Sequence, residues 1–244
     1  MPESAATVVI PTYNEAENLS RLVSALLIQE LPGLCILIVD DNSPDGTGEI
    51  ADGLAAAEPD RISVVHRPGK GGLGRAYLHG FAVALETDTA AIGQMDADFS
   101  HPPEKWPELA AALPQAEMVV GSRYVPGGSV DRDWPAWRKG LSAFGNAYAR
   151  TILGLQLRDV TGGFRLYRRE LLERMPLERV RSNGYVFQVE MAYLAFLCGA
   201  TFREVPIYFA DRRWGVSKMS LRIQLEAAVR VWQVKFGYKD LQKT

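Results

Sequence analysis

Four short apolar runs, at 7–10, 36–40, 62–66 and 90–95, recur at intervals of roughly 28 residues, the length of a strand followed by a helix. Each interval leaves room for a helical crossover, so the rhythm predicts a parallel sheet. Residues 15–27 place Leu19, Leu22, Val23, Leu26 and Leu27 at steps of three and four, one face of a helix lying on that sheet. Residues 47–57 and 73–85 carry the same pattern. Right-handed crossovers follow from strand twist. The first hundred residues are therefore expected to form a doubly wound half of the kind that binds nucleotides.

From residue 104 the rhythm loosens. A helix to 113 and a strand at 118–121 lead into a loop at 122–137 rich in glycine, proline and tryptophan, and long irregular loops are more often functional than structural. A helix near 141–153, a turn at Thr161-Gly162-Gly163, a helix at 186–197 and a strand at 201–209 follow. The last helix, 221–236, carries Leu221, Leu225, Val229, Trp232 and Phe236 as an apolar stripe that needs a cover. At 244 residues, one domain spanning 1–244 is expected, with no separable second. A net charge of −2 gives no attraction to nucleic acid, which is not an expected partner. The two cysteines sit inside apolar runs, so a disulfide framework is not expected and a reducing compartment is. Residues 1–4 show no basic segment or apolar h-region, and no stretch approaches the roughly 20 apolar residues of a spanning helix. A cytoplasmic protein, at most peripheral to a membrane, is expected.

Ligands of parallel α/β sheets collect at the carboxyl ends of the strands, and three of those ends are loaded. The first run closes on Pro11-Thr12-Tyr13-Asn14-Glu15, the second on Asp40-Asp41-Asn42-Ser43 and the fourth on Asp96-Ala97-Asp98. Any one alone is as readily a cap or a turn. Three on one sheet edge are harder to explain so, because crowded carboxylates repel and need a cation. Asp96-Ala97-Asp98 suits a hard divalent ion, magnesium or manganese, that keeps water or phosphate oxygens as its other ligands. His101, just before Pro102-Pro103, reads as a turn or core histidine rather than a ligand. A competing motif, Gly69-Lys70-Gly71-Gly72-Leu73-Gly74, matches the glycine fingerprint of dinucleotide sites and has Asp96 about 20 residues on. It would support an NAD-linked oxidoreductase. However, it follows the third strand rather than the first, and a single ribose-binding acid leaves Asp98, Asp40 and Asp41 unexplained. The glycines are expected to form a flexible loop against a nucleotide.

Together, Val9-Ile10-Pro11-Thr12-Tyr13-Asn14-Glu15, Asp40-Asp41-Asn42-Ser43-Pro44-Asp45-Gly46-Thr47 and Met95-Asp96-Ala97-Asp98 resemble the dolichyl- and polyprenyl-phosphate mannose synthases, which are inverting GT-A glycosyltransferases. The similarity continues in order through Gly121-Ser122-Arg123-Tyr124, Thr161-Gly162-Gly163-Phe164-Arg165-Leu166-Tyr167, Gly184-Tyr185-Val186-Phe187-Gln188 and Gly215-Val216-Ser217-Lys218, nearly the whole chain. Val125-Pro126-Gly127-Gly128 looks closest to the actinobacterial polyprenol-phosphate members.

The resemblance implies a GT-A type α/β fold: a Rossmann-like, mostly parallel central sheet flanked by helices, with amphipathic helices at the C-terminal end. It implies transfer of mannose from GDP-mannose to a polyprenyl (dolichyl-type) phosphate with inversion, giving a β-linked product and GDP. Glucosyl transfer from UDP-glucose is the sister alternative, and a non-catalytic nucleotide-sugar module a third. Pro11, Tyr13, Asn14, Glu15, Asp40 and Asp41 would hold the guanosine. Asp96, Asp98 and Ser100 would serve magnesium or manganese, with Ser100 shorter than the glutamine some relatives carry there. Arg123, Arg138 and Ser142 would face the acceptor phosphate, and Arg212 with Lys218 would clamp the donor diphosphate from a closing loop. Asp96, Asp98, Arg123, Arg138 and Arg212 are the expected catalytic set. Because the isoprenoid tail stays in lipid, the enzyme is expected at the cytoplasmic face of a membrane. The amphipathic helices, with Arg222, Arg230 and Lys235 beside the terminal stripe, would dock it there unless they merely cover the sheet, and a separate membrane subunit is another means.

Overall fold

Alternation within the first two apolar runs decides how the sheet is layered. β1 (Ala6–Thr12) and β2 (Leu34–Asp40) are parallel neighbours, with Val8 opposite Ile36 and Val9 opposite Leu37. Val8, Ile10, Ile36 and Ile38 enter the core on one face, and Val9, Leu37 and Val39 the core on the other. Strands buried on both faces carry continuous apolar runs for this reason. Each such side chain, at most 1% exposed, contributes about 1.5–3 kcal/mol by leaving water.

The computed structural model describes residues 6–29, 31–211 and 221–243. β3 (Ile62–His66) and β4 (Ala91–Gln94) complete the parallel half, joined by α1 (Leu19–Leu27), α2 (Thr47–Ala57) and α3 (Leu73–Leu85). The chain continues as α4 (Trp106–Ala112), β5 (Met118–Ser122), β6 (Ser129–Val130) and α5 (Ala136–Leu153). It ends with β7 (Arg165–Arg168), α6 (Arg169–Arg174), α7 (Gly184–Leu197), β8 (Phe202–Pro206), β9 (Tyr208–Phe209) and α8 (Leu221–Gly237). The main sheet runs β3-β2-β1-β4-β7-β5-β8, and β7 alone is antiparallel to its neighbours. α1 and α4 cover one face; α3 and α7 cover the other, with α8 packed outside α7.

Several details depart from the sequence expectations: α5 begins at Ala136 rather than near 141, and α6 was not foreseen. α1 starts at Leu19 rather than at 15, because Glu15 is spent in a turn whose carbonyl accepts the amides of Asn18 and Leu19 at 3.0 and 2.9 Å. β7 was not foreseen: four residues with arginine at both ends show no apolar period, yet Arg165 and Tyr167 are fully buried. The strand expected at 201–209 breaks at Ile207, and β9 leaves to pair with β6 inside the long loop. In α8 Val231 and Val234 are buried, as is Tyr238 just past its end, while Val229, Trp232 and Phe236 of the expected stripe remain 59%, 40% and 52% exposed; the side chains of Leu221 and Leu225 lie outside those described. Two apolar stripes share this helix, and it packs against α5 and α7. Among the described residues no helix is long and apolar enough to cross a membrane.

Candidate active site

The loops after β1, β2 and β4 meet at the carboxyl edge of the sheet. Each contains a residue with a left-handed backbone: Asn14 (φ 60°), Asn42 (φ 56°) and Phe99 (φ 60°), the only non-glycine residues of this kind among those described. Such conformations cost about 1–3 kcal/mol and persist where surrounding contacts enforce them, commonly at functional sites. Those contacts are present. The Asn14, Glu15 and Ala16 amides donate to Ser43 Oγ, Thr47 Oγ1 and Asp45 Oδ2 at 3.1, 2.9 and 3.2 Å, lacing the β1 loop to the β2 loop. Asp40, 2% exposed, accepts from Thr12 Oγ1 at 3.0 Å and from the Ser43 hydroxyl and amide at 2.6 and 3.0 Å.

Pro11, Tyr13, Asn14, Glu15, Asp40 and Asp41 are thus brought to adjoining strand ends, but with partners the sequence did not suggest. Asp41 is ion-paired with Arg67 and accepts the Gly71 amide at 3.1 Å, so it anchors the glycine loop. Lys70 lies over the Tyr13 ring at 3.8 Å. The dinucleotide reading fails on this geometry. β3 is an edge strand rather than the centre of the sheet. A Cβ on Gly74 would stand 2.8 Å from both the Ser182 carbonyl and the Phe187 ring, so this glycine serves helix packing.

Beyond β4, Asp96 Oδ1 accepts from the Tyr77 hydroxyl at 2.7 Å. Burial, then the Asp96 charge, raises the Tyr77 pKa and keeps it a neutral donor. The Asp96 amide donates to His101 Nδ1 at 3.1 Å, which commits that nitrogen as an acceptor. Burial holds His101 below its ordinary pKa despite the nearby charges of Asp96 and Asp98, so it is neutral at pH 7. Asp98, 6% exposed, is oriented by the Ser100 amide and hydroxyl, both donating to Oδ1 at 3.0 and 2.6 Å. The described residues contain no group of three or more His, Cys, Asp or Glu able to cage a metal. Two hard carboxylates do fit a magnesium-type ion that takes its remaining ligands from water and phosphate.

Of the residues expected to face an acceptor phosphate, Arg123 directly follows β5, and Arg138 and Ser142 lie on α5. Arg123, 8% exposed, makes a two-pronged pair with Asp159, its Nε and Nη2 each 2.7 Å from a carboxylate oxygen. Burial would lower the Arg123 pKa, but Asp159 outweighs it and the pKa is raised. Tyr124 shares a 2.7 Å hydrogen bond with Ser142. Arg138 stacks over Trp134 at 3.8 Å and donates to both oxygens of Asp211 at 3.0 and 3.1 Å. Arg123 and Ser142 are therefore linked through Tyr124, while Arg138 is paired at the end of the described segment. Arg212 and Lys218 lie outside the described residues. Asp159, Arg67 and Tyr77 were not given roles from sequence; each acts through a partner distant along the chain, which no local pattern reveals.

A mostly parallel sheet with an inserted antiparallel strand, and an Asp-x-Asp at the carboxyl edge, define a GT-A-type α/β protein. The family model described as Glycosyl transferase family 2 matches residues 7–175, and the chain belongs to that family. It is therefore an enzyme of glycosyl transfer. The chain is 47% identical over 237 residues to the polyprenol monophosphomannose synthase of Mycolicibacterium smegmatis, covering 96% of this chain and 89% of that protein. It is 46% identical over 236 residues to the undecaprenyl-phosphate mannosyltransferase of Micrococcus luteus, covering 96% of each. Among solved structures, mannosyltransferase PcManGT from Pyrobaculum calidifontis, in complex with GDP-Man and Mn2+, aligns with a TM-score of 0.63 at 21% identity, over 98% of this chain and 68% of that one. Mannosyl-3-phosphoglycerate synthase from Rubrobacter xylanophilus aligns with a TM-score of 0.67 at 18% identity, over 98% and 76%. At these identities the structural likeness speaks for the fold.

Proposed function

We propose that the whole chain works as one GT-A domain that transfers mannose from GDP-mannose to a polyprenyl phosphate, with inversion, releasing GDP. What carries this reading is near full-length identity to two relatives named for mannosyl transfer to polyprenyl-type lipids. Glucosyl transfer from UDP-glucose has no comparable support. A lipid phosphate oxygen forms a bond to the anomeric carbon from the face opposite GDP. The bond from that carbon to the diphosphate oxygen breaks, and its electron pair leaves with GDP. A phosphomonoester has a second pKa near 6, so it is mostly a dianion at pH 7 and requires no strong general base. This agrees with a site whose histidine is buried, neutral and engaged.

Asp96 and Asp98 would hold magnesium or manganese, which when bound supplies Lewis-acid neutralisation of the departing diphosphate. Tyr77 and Ser100 fix those carboxylates in place. Arg123, Arg138 and Ser142 would receive the acceptor phosphate, and Arg212 with Lys218 the donor diphosphate, since guanidinium groups suit phosphate oxygens. Pro11, Tyr13, Asn14, Glu15, Asp40 and Asp41 would shape the guanosine pocket.

The lipid tail calls for a membrane surface, and an aromatic ridge supports docking. Phe144 stacks on Tyr148 at 6.2 Å, Trp232 donates to the Tyr148 hydroxyl at 2.9 Å, and Trp232 lies 5.8 Å from Phe236. Phe144 is 67% exposed, and Lys235 and Lys239 sit over the Trp232 and Phe236 rings. Apolar rings flanked by cations suit an anionic lipid interface at the cytoplasmic face, with or without a membrane subunit. Calorimetric titration with manganese present tests the donor: GDP-mannose should bind, and tighter binding of UDP-glucose or NADH would overturn the assignment.

A further inference from the structure

The turn at 158–163 is tied down by side chains from three elements, and what it holds converges on one arginine. From α5, Asn146 Oδ1 accepts the Val160 amide at 2.8 Å while its Nδ2 donates to the Arg158 carbonyl. From β8, Glu204 accepts the amides of Arg158 and Asp159 at 2.8 and 2.9 Å. From β7, the buried Arg165 donates to the Val160 and Gly162 carbonyls at 2.9 and 2.8 Å. The turn so fixed presents Asp159, 0% exposed. Its carboxylate takes Arg123 Nε and Nη2 at 2.7 Å each, and the Arg123 and Gly162 amides at 3.0 and 2.9 Å. Thr161 Oγ1 accepts from the same Nη2 at 2.7 Å.

A guanidinium has five N–H donors. The seat uses the one on Nε and both on Nη2. Nη1, with the other two, has no protein partner among the described residues. The Tyr124 and Phe209 rings, 5.2 and 5.1 Å from Cζ, restrict the plane further. An unrestrained arginine grips a phosphate with two nitrogens, as a fork, and accepts any phosphate within reach.

We propose that Asp159, helped by Thr161, is the positioning residue that holds Arg123 so that it offers Nη1 alone, end-on, to an oxygen of a phosphomonoester. The inference rests on the reading that Arg123 faces the acceptor phosphate. Charge and geometry make opposite demands here, which is what permits a test. Removing the Asp159 charge leaves Arg123 a less neutralised cation, so an electrostatic role predicts tighter phosphate binding by the variant. A positioning role predicts weaker binding of the monoester, with the donor nucleotide unaffected.

Calorimetric titrations of geranyl phosphate, and separately of GDP with manganese, into wild type, Asp159→Asn and Thr161→Val decide between them. Geranyl phosphate affinity should fall about tenfold in Asp159→Asn and about threefold in Thr161→Val, with GDP affinity within about twofold in both. If Asp159→Asn does not fold, Thr161→Val, altered at the partly exposed rim of the seat, carries the decision. Geranyl phosphate binding at or above wild-type strength in the folded variants, equal losses for both ligands, or no uptake by wild type would each overturn the proposal. A wild type that binds geranyl phosphate yet makes no mannosyl lipid would instead sink the proposed function and leave the seat standing.

Discussion

The Arg123–Asp159 pair is buried on both sides, which gives it a pH signature as well as a geometry. Burial alone would raise the Asp159 carboxyl; the charge and hydrogen bonds of Arg123 outweigh it and leave the pKa below its ordinary 3.8. A carboxyl lowered by folding contributes stability that is full above the unfolded value and is lost as pH falls through the folded one. Urea midpoints taken from pH 7 to pH 2 should therefore drop below about pH 4, and drop less in Asp159→Asn; parallel profiles would deny the pair that contribution. At the opposite side of the site, Asp98→Ala should lower turnover about a hundredfold or more while leaving the thermal midpoint within a few degrees. Near-normal turnover in the purified variant would remove the metal role. Asp96 and Asp98 could be read from the sequence because they end one apolar strand two residues apart. Asp159 could not, since its partner lies 36 residues away and the contact exists only after β5 and the 158–163 turn have folded together.

Elements were legible where apolar period and length agreed, as in α2 and α3, and illegible where polar residues are buried, as in β7. There Arg165 is fully covered, and its charge is answered by carbonyls rather than by an apolar pattern. α3 also shows why a glycine motif misleads: Gly74 stands where the helix crosses the Ser182 carbonyl and Phe187. Gly74→Ala should destabilise the protein by about 1–3 kcal/mol through overpacking, measurable by denaturant unfolding, and an unchanged midpoint would mean that α3 and α7 have slack between them. For α8 the sequence points to the stripe that includes Val229, Trp232 and Phe236, which stays exposed, because the helix offers two apolar stripes and the choice falls to packing against α5 and α7. The stripe left outside makes its own prediction. Phe144→Ser combined with Phe236→Ser should reduce flotation with anionic liposomes severalfold without lowering transfer to a short soluble acceptor. Undiminished flotation would remove the ridge from membrane docking.

On the scale of the molecule, the sheet order β3-β2-β1-β4 followed by β7-β5-β8 separates two tasks. On the proposed function, the parallel half would supply laced loops and strained backbone for a nucleotide, and the half beyond β4 would supply seated arginines for a second anion. The first half was foreseeable, since strand–helix repeats fix its order and crossover sense. The second was not, because β7 inserts antiparallel between β4 and β5 although it is later in the chain. Two negatively charged substrates meeting across β4 is the physical claim on which the function depends. Its most direct test is transfer itself: purified protein, manganese, GDP-mannose labelled in the sugar, and a polyprenyl phosphate, with label counted in the organic phase. Label should enter the lipid from GDP-mannose and be lost on chelation of the metal. Label entering only from UDP-glucose, or none entering from either donor while both substrates bind, would contradict it.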